Sequence, residues 1–167
     1  MPKPDITLTD QHGQRFALKP RTHGKVTLLY FGYTHCPDVC PLTMSMLAQA
    51  VKALPAATVR DIAVVFVTTD PARDTPAQLR QWLANFDRSF VGLTGSRTAI
   101  IQAQRQVGAP PSVTEPLAKG SYGVDHGAFI YAYGPDDLAH IVYFQGVQPA
   151  ALAADLRRLA AGALPAT

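Results

Sequence analysis

Lys25-Val26-Thr27-Leu28-Leu29-Tyr30-Phe31-Gly32-Tyr33, running on through Thr34-His35-Cys36-Pro37-Asp38-Val39-Cys40-Pro41, is the stretch whose reading decides the fold. Its first nine residues are apolar, β-branched or aromatic with little alternation, the pattern of a strand buried on both faces. From Pro41 to Leu54, Leu42, Met44, Met46 and Leu47 fall on overlapping faces of a helix. A buried strand passing through a proline-bracketed turn into a helix is the opening of an α/β unit.

Working outward, residues 5–19 alternate as Ile6, Leu8 and then Phe16, Leu18 around Asp10-Gln11-His12-Gly13, which predicts an N-terminal hairpin. Ile62 to Thr68 reads as a second buried strand. Thr75 is a suitable N-cap with Pro76 at the first helical position, opening a helix to about Phe86. Phe90 to Leu93 is a short strand. Ser96 opens a helix to about Val107, stopped by Gly108. Residues 109–122 are polar and proline-bearing and read as a loop or small insertion. Ala128 to Tyr133 and His140 to Phe144 read as strands about a Gly134-Pro135-Asp136-Asp137 turn, and Pro149 to Leu159 as a closing helix. The order, βαβ and then αββα, is that of a thioredoxin-like α/β domain over 1–167, a central mixed sheet with helices on both faces.

Bulk composition fits this. The chain has 167 residues, 47% of them apolar and 16% charged, which suits one packed core and argues against disorder. The net charge of +3 (15 basic minus 12 acidic) comes without a Lys/Arg run, so no nucleic-acid or lipid patch is expected. No stretch approaches the roughly 20 apolar residues that cross a bilayer. Met1-Pro2-Lys3-Pro4 has no apolar core of a signal peptide. Two readings follow: a cytosolic protein, or an exported one whose signal or anchor is absent from this sequence.

The chain's two cysteines, Cys36 and Cys40, stand with three residues between them at the strand-to-helix junction. There, backbone N–H groups and the positive end of the helix dipole favour thiolate. With Cys40 in the first turn both sulfurs face one side, at a Cα separation near the upper end of the disulfide range. Two residues between them would read as a dithiol exchange catalyst. The extra residue widens the bite. Thiolates select Cu(I), and two of them with an imidazole also suit Cu(II), whereas structural zinc needs four protein ligands. Two unconnected buried cysteines would be the plainer reading, but the close spacing and flanking prolines favour a site.

Of five histidines, His12 and His23 lie in turn-like segments, His35 points away from its neighbour Cys36, and His140 begins an edge strand. His126 differs. It lies in Tyr122-Gly123-Val124-Asp125-His126-Gly127, just before the strand at 128–133, where a thioredoxin-like sheet brings the chain beside the cysteine helix. Asp125 is a candidate to orient it, since metal-binding imidazoles need a partner for the second nitrogen.

Phe31-Gly32-Tyr33-Thr34-His35-Cys36-Pro37-Asp38-Val39-Cys40-Pro41, Asp70-Pro71-Ala72-Arg73-Asp74-Thr75-Pro76 and Val124-Asp125-His126, with the opening Thr7-Leu8-Thr9-Asp10-Gln11-His12-Gly13, resemble the Sco/SenC family. The resemblance runs from residue 7 to about 135. It implies a thioredoxin fold, with Cu(I) or Cu(II) held by Cys36, Cys40 and His126. It also implies a monomer acting in assembly of the binuclear copper centre of cytochrome c oxidase, with subunit II or another copper chaperone as partner. Such proteins face the periplasm or the outer side of the bacterial inner membrane, tethered by an N-terminal anchor that this sequence does not include. Gly127 and Ala132 depart from the family's usual hydroxyl and larger apolar residue, which predicts altered packing near the site.

The Asp70 to Asp74 segment reads either as a carboxylate cluster for acid or metal chemistry or as a loop braced by Arg73; by resemblance it lies at the site's edge, facing a partner or modulating the copper. Trp82 and Phe86, four apart, read as core. The alternative reading of the same thiols is a redox-active pair in a thiol–disulfide oxidoreductase that needs no copper, or a peroxidase, with Cys36 attacking and Cys40 resolving. A thioredoxin-like interaction module with a vestigial pair is the third reading.

Overall fold

In a computed structural model that describes residues 1–163, the quoted stretch forms β3 of the sheet. The strands and helices run β1 (Thr7–Asp10), β2 (Arg15–Ala17), α1 (Leu18–Arg21), β3 (Val26–Gly32), α2 (Val39–Lys52), α3 (Ala56–Val59), β4 (Ile62–Thr68), α4 (Pro76–Leu83), β5 (Val91–Thr94), α5 (Arg97–Gln106), β6 (Val113–Pro116), β7 (Tyr122–Asp125), β8 (Ile130–Tyr133), β9 (Ala139–Tyr143) and α6 (Pro149–Ala160). Every residue of β3 is buried. It sits inside a seven-stranded sheet of order β2-β1-β5-β4-β3-β8-β9, parallel to β4 from Val26↔Ile62 to Gly32↔Thr68 and antiparallel to β8. β4 and β5 continue the parallel run, and β1 closes it antiparallel to β5. The molecule is a mixed α/β sheet of the thioredoxin-like kind.

Alternation along β3 sorts its side chains between two cores. Leu28 and Tyr30 point, with Phe66, Ile130 and Ala132, into the layer under α2, α4 and α6, where Met44, Leu47, Leu79, Leu152 and Leu156 meet them. Leu29 and Phe31 point, with Val65, Val67, Tyr131 and Tyr133, towards Ile100 and Ala103 of α5 and towards Leu8 and Phe16 of the hairpin. Trp82 and Phe86 meet edge to face with centroids 4.9 Å apart and pack, half-buried, against the first of these cores.

The local chemistry explains the boundaries. Asp10 Oδ1 accepts from the backbone of His12 and Gln14, each at 2.9 Å, and Gly13 takes φ +77, closing the hairpin turn. Thr75 Oγ1 accepts from Gln78 N and Ser96 Oγ from Ala99 N, so both expected N-caps form. The α4 helix stops at Leu83, before Phe86, and α2 begins at Val39, two residues ahead of Pro41, because proline needs no helical donor in the first turn. Of the two readings of residues 109–122, a loop or a small insertion, the structure shows the insertion. Residues 109–122 include a strand: β6 pairs antiparallel with β7 from Val113↔Asp125 to Pro116↔Tyr122, as a separate two-stranded arm. All four β6 residues are exposed, so no hydrophobic alternation betrays it. Among the described residues no helix is long and apolar enough to cross a membrane.

Gly32 ends β3 where the two layers and the cysteine turn converge. A Cβ there would stand 2.9 Å from Cys40 Sγ, 2.9 Å from Tyr30 Cε1 and 3.0 Å from Phe66 Cε2. Gly32→Ala is therefore expected to overpack this corner at a cost of about 1–3 kcal/mol. Urea unfolding of the reduced protein checks it: an unchanged midpoint would mean that the corner has room.

Candidate metal centre

The chain leaves β3 at Gly32 and turns at once. Cys36 N donates to Tyr33 O at 3.3 Å, and α2 starts three residues later with Cys40 as its second residue. The amide of Cys40, one of the N-terminal N–H groups with no helical acceptor, donates to Cys36 Sγ at 3.4 Å. Cys40 is wholly buried under β3, its sulfur 3.5 Å from the Tyr30 hydroxyl that donates to it. Cys36 is half-buried, and both cysteines are free thiols.

His126 arrives from the far side, one residue past β7. Its Nε2 lies 3.3 Å from Cys40 Sγ. The ring stands edge-on to Tyr30 (centroids 6.1 Å, 84°) and to Tyr33 (5.8 Å, 88°). Two sulfurs and one imidazole nitrogen thus come within 4.8 Å of one another. Tyr33, Cys36, Val39, Val124, Asp125, His126 and Ala128 line a cleft of about 220 Å³ over them. The donor set is soft and three-membered, with an open side towards solvent. That fits copper, and it falls short of the four protein ligands of structural zinc.

The two thiols are electrostatically unequal. Cys36 is lowered to about 5, chiefly because the Cys40 thiol hydrogen-bonds to its thiolate, with help from the amides of Asp38 and Cys40 and from His126, against the opposing effect of burial. Cys40 is pushed far up by the same neighbour and by desolvation. The pair therefore shares one proton, held on the buried sulfur, and exposes a thiolate at Cys36. Tyr30 is also raised well above the ordinary phenol range, first by burial and then by the adjacent Cys40, so it remains a donor.

Asp70 and Asp74 come close to His35, all three within 4.8 Å, but their oxygens are engaged. Asp74 accepts from Thr34 N (2.9 Å), Thr34 Oγ1 (2.6 Å) and Thr68 Oγ1 (2.7 Å), with His35 Nδ1 at 3.6 Å. Asp70 accepts from Tyr122 Oη at 2.8 Å and pairs with Arg73. Both carboxylates brace loops, as the ion-pair reading of this segment has it. Asp125 does not orient His126. Its side chain is exposed and makes no hydrogen bond among the described residues, while His126 Nδ1 faces Gly127 O at 3.4 Å. Strand alternation on β7 buries Val124 and turns Asp125 outward, towards solvent. Of the other histidines, His23 reaches Asp137 at 3.1 Å and His140 pairs with Asp136.

Three site residues escape a sequence reading. Tyr30 could have been found, since alternation puts it on the face of Gly32. Tyr33 and Tyr122 could not, because their contacts with His126 and Arg73 cross the fold.

The SCO1/SenC family model matches residues 3–161. The chain belongs to the SCO1/SenC family. A bovine mitochondrial SCO2 homolog is 38% identical over 135 residues, covering 80% of this chain and 50% of that protein. The chain spans about half the length of most curated relatives it matches. Bradyrhizobium japonicum ScoI, solved with copper bound, superposes with a TM-score of 0.86 at 32% identity, covering 95% of this chain and 99% of that one. BsSco, described with a disulfide switch and as a member of the Sco family of cytochrome c oxidase assembly proteins, shares the fold at 24% identity and a TM-score of 0.75, covering 96% and 94%.

The unequal thiols have a measurable consequence. The rate of alkylation at Cys36 is expected to rise with an apparent pKa near 5 and to stay high at neutral pH, with Cys40 silent. Cys40→Ala removes the thiol donor and should move that inflection up towards the ordinary thiol range, about 8.5. A pH–rate profile with mass-spectrometric site assignment reads both, and an inflection unmoved by Cys40→Ala would show that the amides alone hold the thiolate.

Proposed function

We propose that this chain binds copper, as Cu(I) or Cu(II), through Cys36, Cys40 and His126 and acts in assembly of the binuclear copper centre of cytochrome c oxidase, with subunit II or another copper chaperone as partner. The observation that carries this reading is the convergence of two sulfurs and an imidazole nitrogen within 4.8 Å on an open cleft. The copper-bound ScoI relative and the description of BsSco support it. Copper here is cargo. A half-buried Cys36 beside a wholly buried Cys40 gives incoming ligands one accessible side from which to replace Cys36 and His126 in turn. The proposed working site is the periplasmic face of the bacterial inner membrane, with the chain acting as a monomer.

A second reading, reduction of a partner's disulfide, is favoured by the lowered Cys36 thiol. The Cys36 thiolate attacks one partner sulfur and the other leaves as thiolate. Cys40, giving up its proton, then attacks Cys36 and releases the second partner sulfur. The partner gains two electrons and this chain ends as the Cys36–Cys40 disulfide. Metal load and thiol redox state are coupled, because the disulfide form has no thiolates to offer.

His126→Ala separates the two. Anaerobic copper titration of the reduced variant should show Cu(II) affinity reduced at least about 10-fold, the lower bound expected even for losing a supporting residue, and loss of the parent's thiolate-to-copper absorption. Disulfide exchange with a small-molecule disulfide should persist. A variant that keeps the parent's Cu(II) spectrum would remove His126 from the ligand set.

A further inference from the structure

The position of His126 poses a mechanical problem. Cys36 and Cys40 are fixed by β3 and α2, in the middle of the seven-stranded sheet. His126 follows β7, which pairs with β6 alone in an arm outside that sheet. On its other side His126 lies four residues before Ile130, where β8 joins the central sheet opposite Tyr30, so the ladder ties the imidazole from that side only. The β6–β7 side needs its own tie to the body.

The contacts at Tyr122, four residues before His126, supply it. The Arg73 guanidinium carbon lies 3.7 Å from the centroid of the Tyr122 ring. Arg73 Nη2 donates to Tyr122 O at 3.2 Å. The Tyr122 hydroxyl donates to Asp70 Oδ1 at 2.8 Å, and Asp70 Oδ2 accepts from Arg73 Nε. The three residues close a ring. Its Asp70 corner is buried, and the charge is tolerable there because both oxygens have donors.

The ring continues into the other half of the site. Asp70 N donates to Thr68 Oγ1 at 2.9 Å, Thr68 Oγ1 donates to Asp74 Oδ2 at 2.7 Å, and Asp74 holds Thr34, two residues before Cys36. One loop, Asp70 to Asp74, thus holds the cysteine turn directly and the histidine arm through Tyr122. The arm has other ties: Val124 is buried in the core layer that holds Tyr30 and Cys40, Ser112 donates through its amide and hydroxyl to Gln104 Oε1 at 3.1 and 3.3 Å, Arg97 reaches Thr114 Oγ1 at 3.1 Å and Ser112 O at 3.5 Å, and Tyr33 meets the His126 ring edge.

We infer that Arg73, Asp70 and Tyr122 form a latch that positions His126 over the thiols, so that it governs the nitrogen ligand and leaves the dithiol itself alone. They are positioning residues, acting through His126, and the inference rests on the ligand set proposed above. When the latch is closed, the imidazole stands in coordinating reach and a site of two sulfurs and one nitrogen is complete. With the latch open, the arm carries His126 away and two sulfurs remain, a donor set that still suits Cu(I) and dithiol exchange but serves Cu(II) poorly. The latch thereby sets which copper oxidation state the chain retains.

Tyr122→Leu tests this, since it removes the ring stack and the hydroxyl while leaving the Asp70–Arg73 pair. In the metal-free protein, amide hydrogen exchange at Tyr122–Asp125 should accelerate, with β3 and α2 unchanged. On titration, Cu(II) affinity should fall about 10- to 100-fold, the range expected for a supporting residue, with weakened imidazole nitrogen couplings in the magnetic resonance spectrum. Cu(I) stoichiometry and Cys36 alkylation should match the parent. Tyr122→Phe, which keeps the stack, should fall between. If Tyr122→Leu does not fold, as read by circular dichroism, Arg73→Lys keeps the charge opposite Asp70, loses the fork, and is read in the same way. A folded latch variant with the parent's Cu(II) affinity and spectrum overturns the inference, as does one that loses Cu(I) equally. His126→Ala run alongside separates the failures: if it too binds Cu(II) like the parent, the ligand assignment has failed; if it loses Cu(II) while Tyr122→Leu does not, only the latch has.

Discussion

One wholly buried carboxylate holds the functional end of the molecule together. Asp74 has no water to solvate it, and a bare charge there would be prohibitive. It is stabilised by three donors, two of them from Thr34 and one from Thr68. Thr34 leaves β3 and Thr68 ends β4, so the carboxylate pins the ends of two adjacent parallel strands to the loop that starts α4. The cysteine turn begins from that pinned point. Without it the turn that carries Cys36 from β3 into α2 would lose its tie to the end of β4.

The site above this anchor combines opposite environments. Cys40 is buried beneath a strand end where Gly32 leaves no spare volume, and it meets Tyr30 on one side and His126 on the other. Cys36, four residues earlier, looks out into the cleft and receives the Cys40 amide. One sulfur is made reactive by the same contacts that make the other inert. An asymmetric pair of this kind serves cargo exchange and dithiol chemistry equally well, which is why the two readings of the family share the same atoms. The imidazole is the part that separates them, and it sits between a two-stranded arm outside the central sheet and the start of β8 within it.

Legibility in the sequence followed the range of the interactions. The strand-turn-helix unit, the N-caps at Thr75 and Ser96, and the hairpin turn at Asp10 were readable because each is decided within a few residues. The β6 strand leaves no mark in the sequence because it is exposed on all four residues and owes its existence to pairing with β7. Adjacency in sequence suggests Asp125 as a partner for His126, but the alternation of β7 turns it to solvent. The carboxylates of the Asp70 to Asp74 loop were legible as an ion-paired brace but not as the hub linking the two halves of the site.

The amino-acid sequence alone determined that this is a thioredoxin-like α/β chain with two thiols at a strand-to-helix junction, because those features are written in local periodicity, proline placement and spacing. It also pointed to His126, through its place ahead of a strand. Only the tertiary structure decided that His126 Nε2 stands 3.3 Å from Cys40 Sγ, that the Cys36 thiol is lowered by the buried Cys40 beside it, and that the Arg73 guanidinium lies over the Tyr122 ring. Those facts depend on contacts between residues 40 and 126, or 73 and 122, and separations of that length are bridged by the packed sheet and its loops, not by any pattern along the chain.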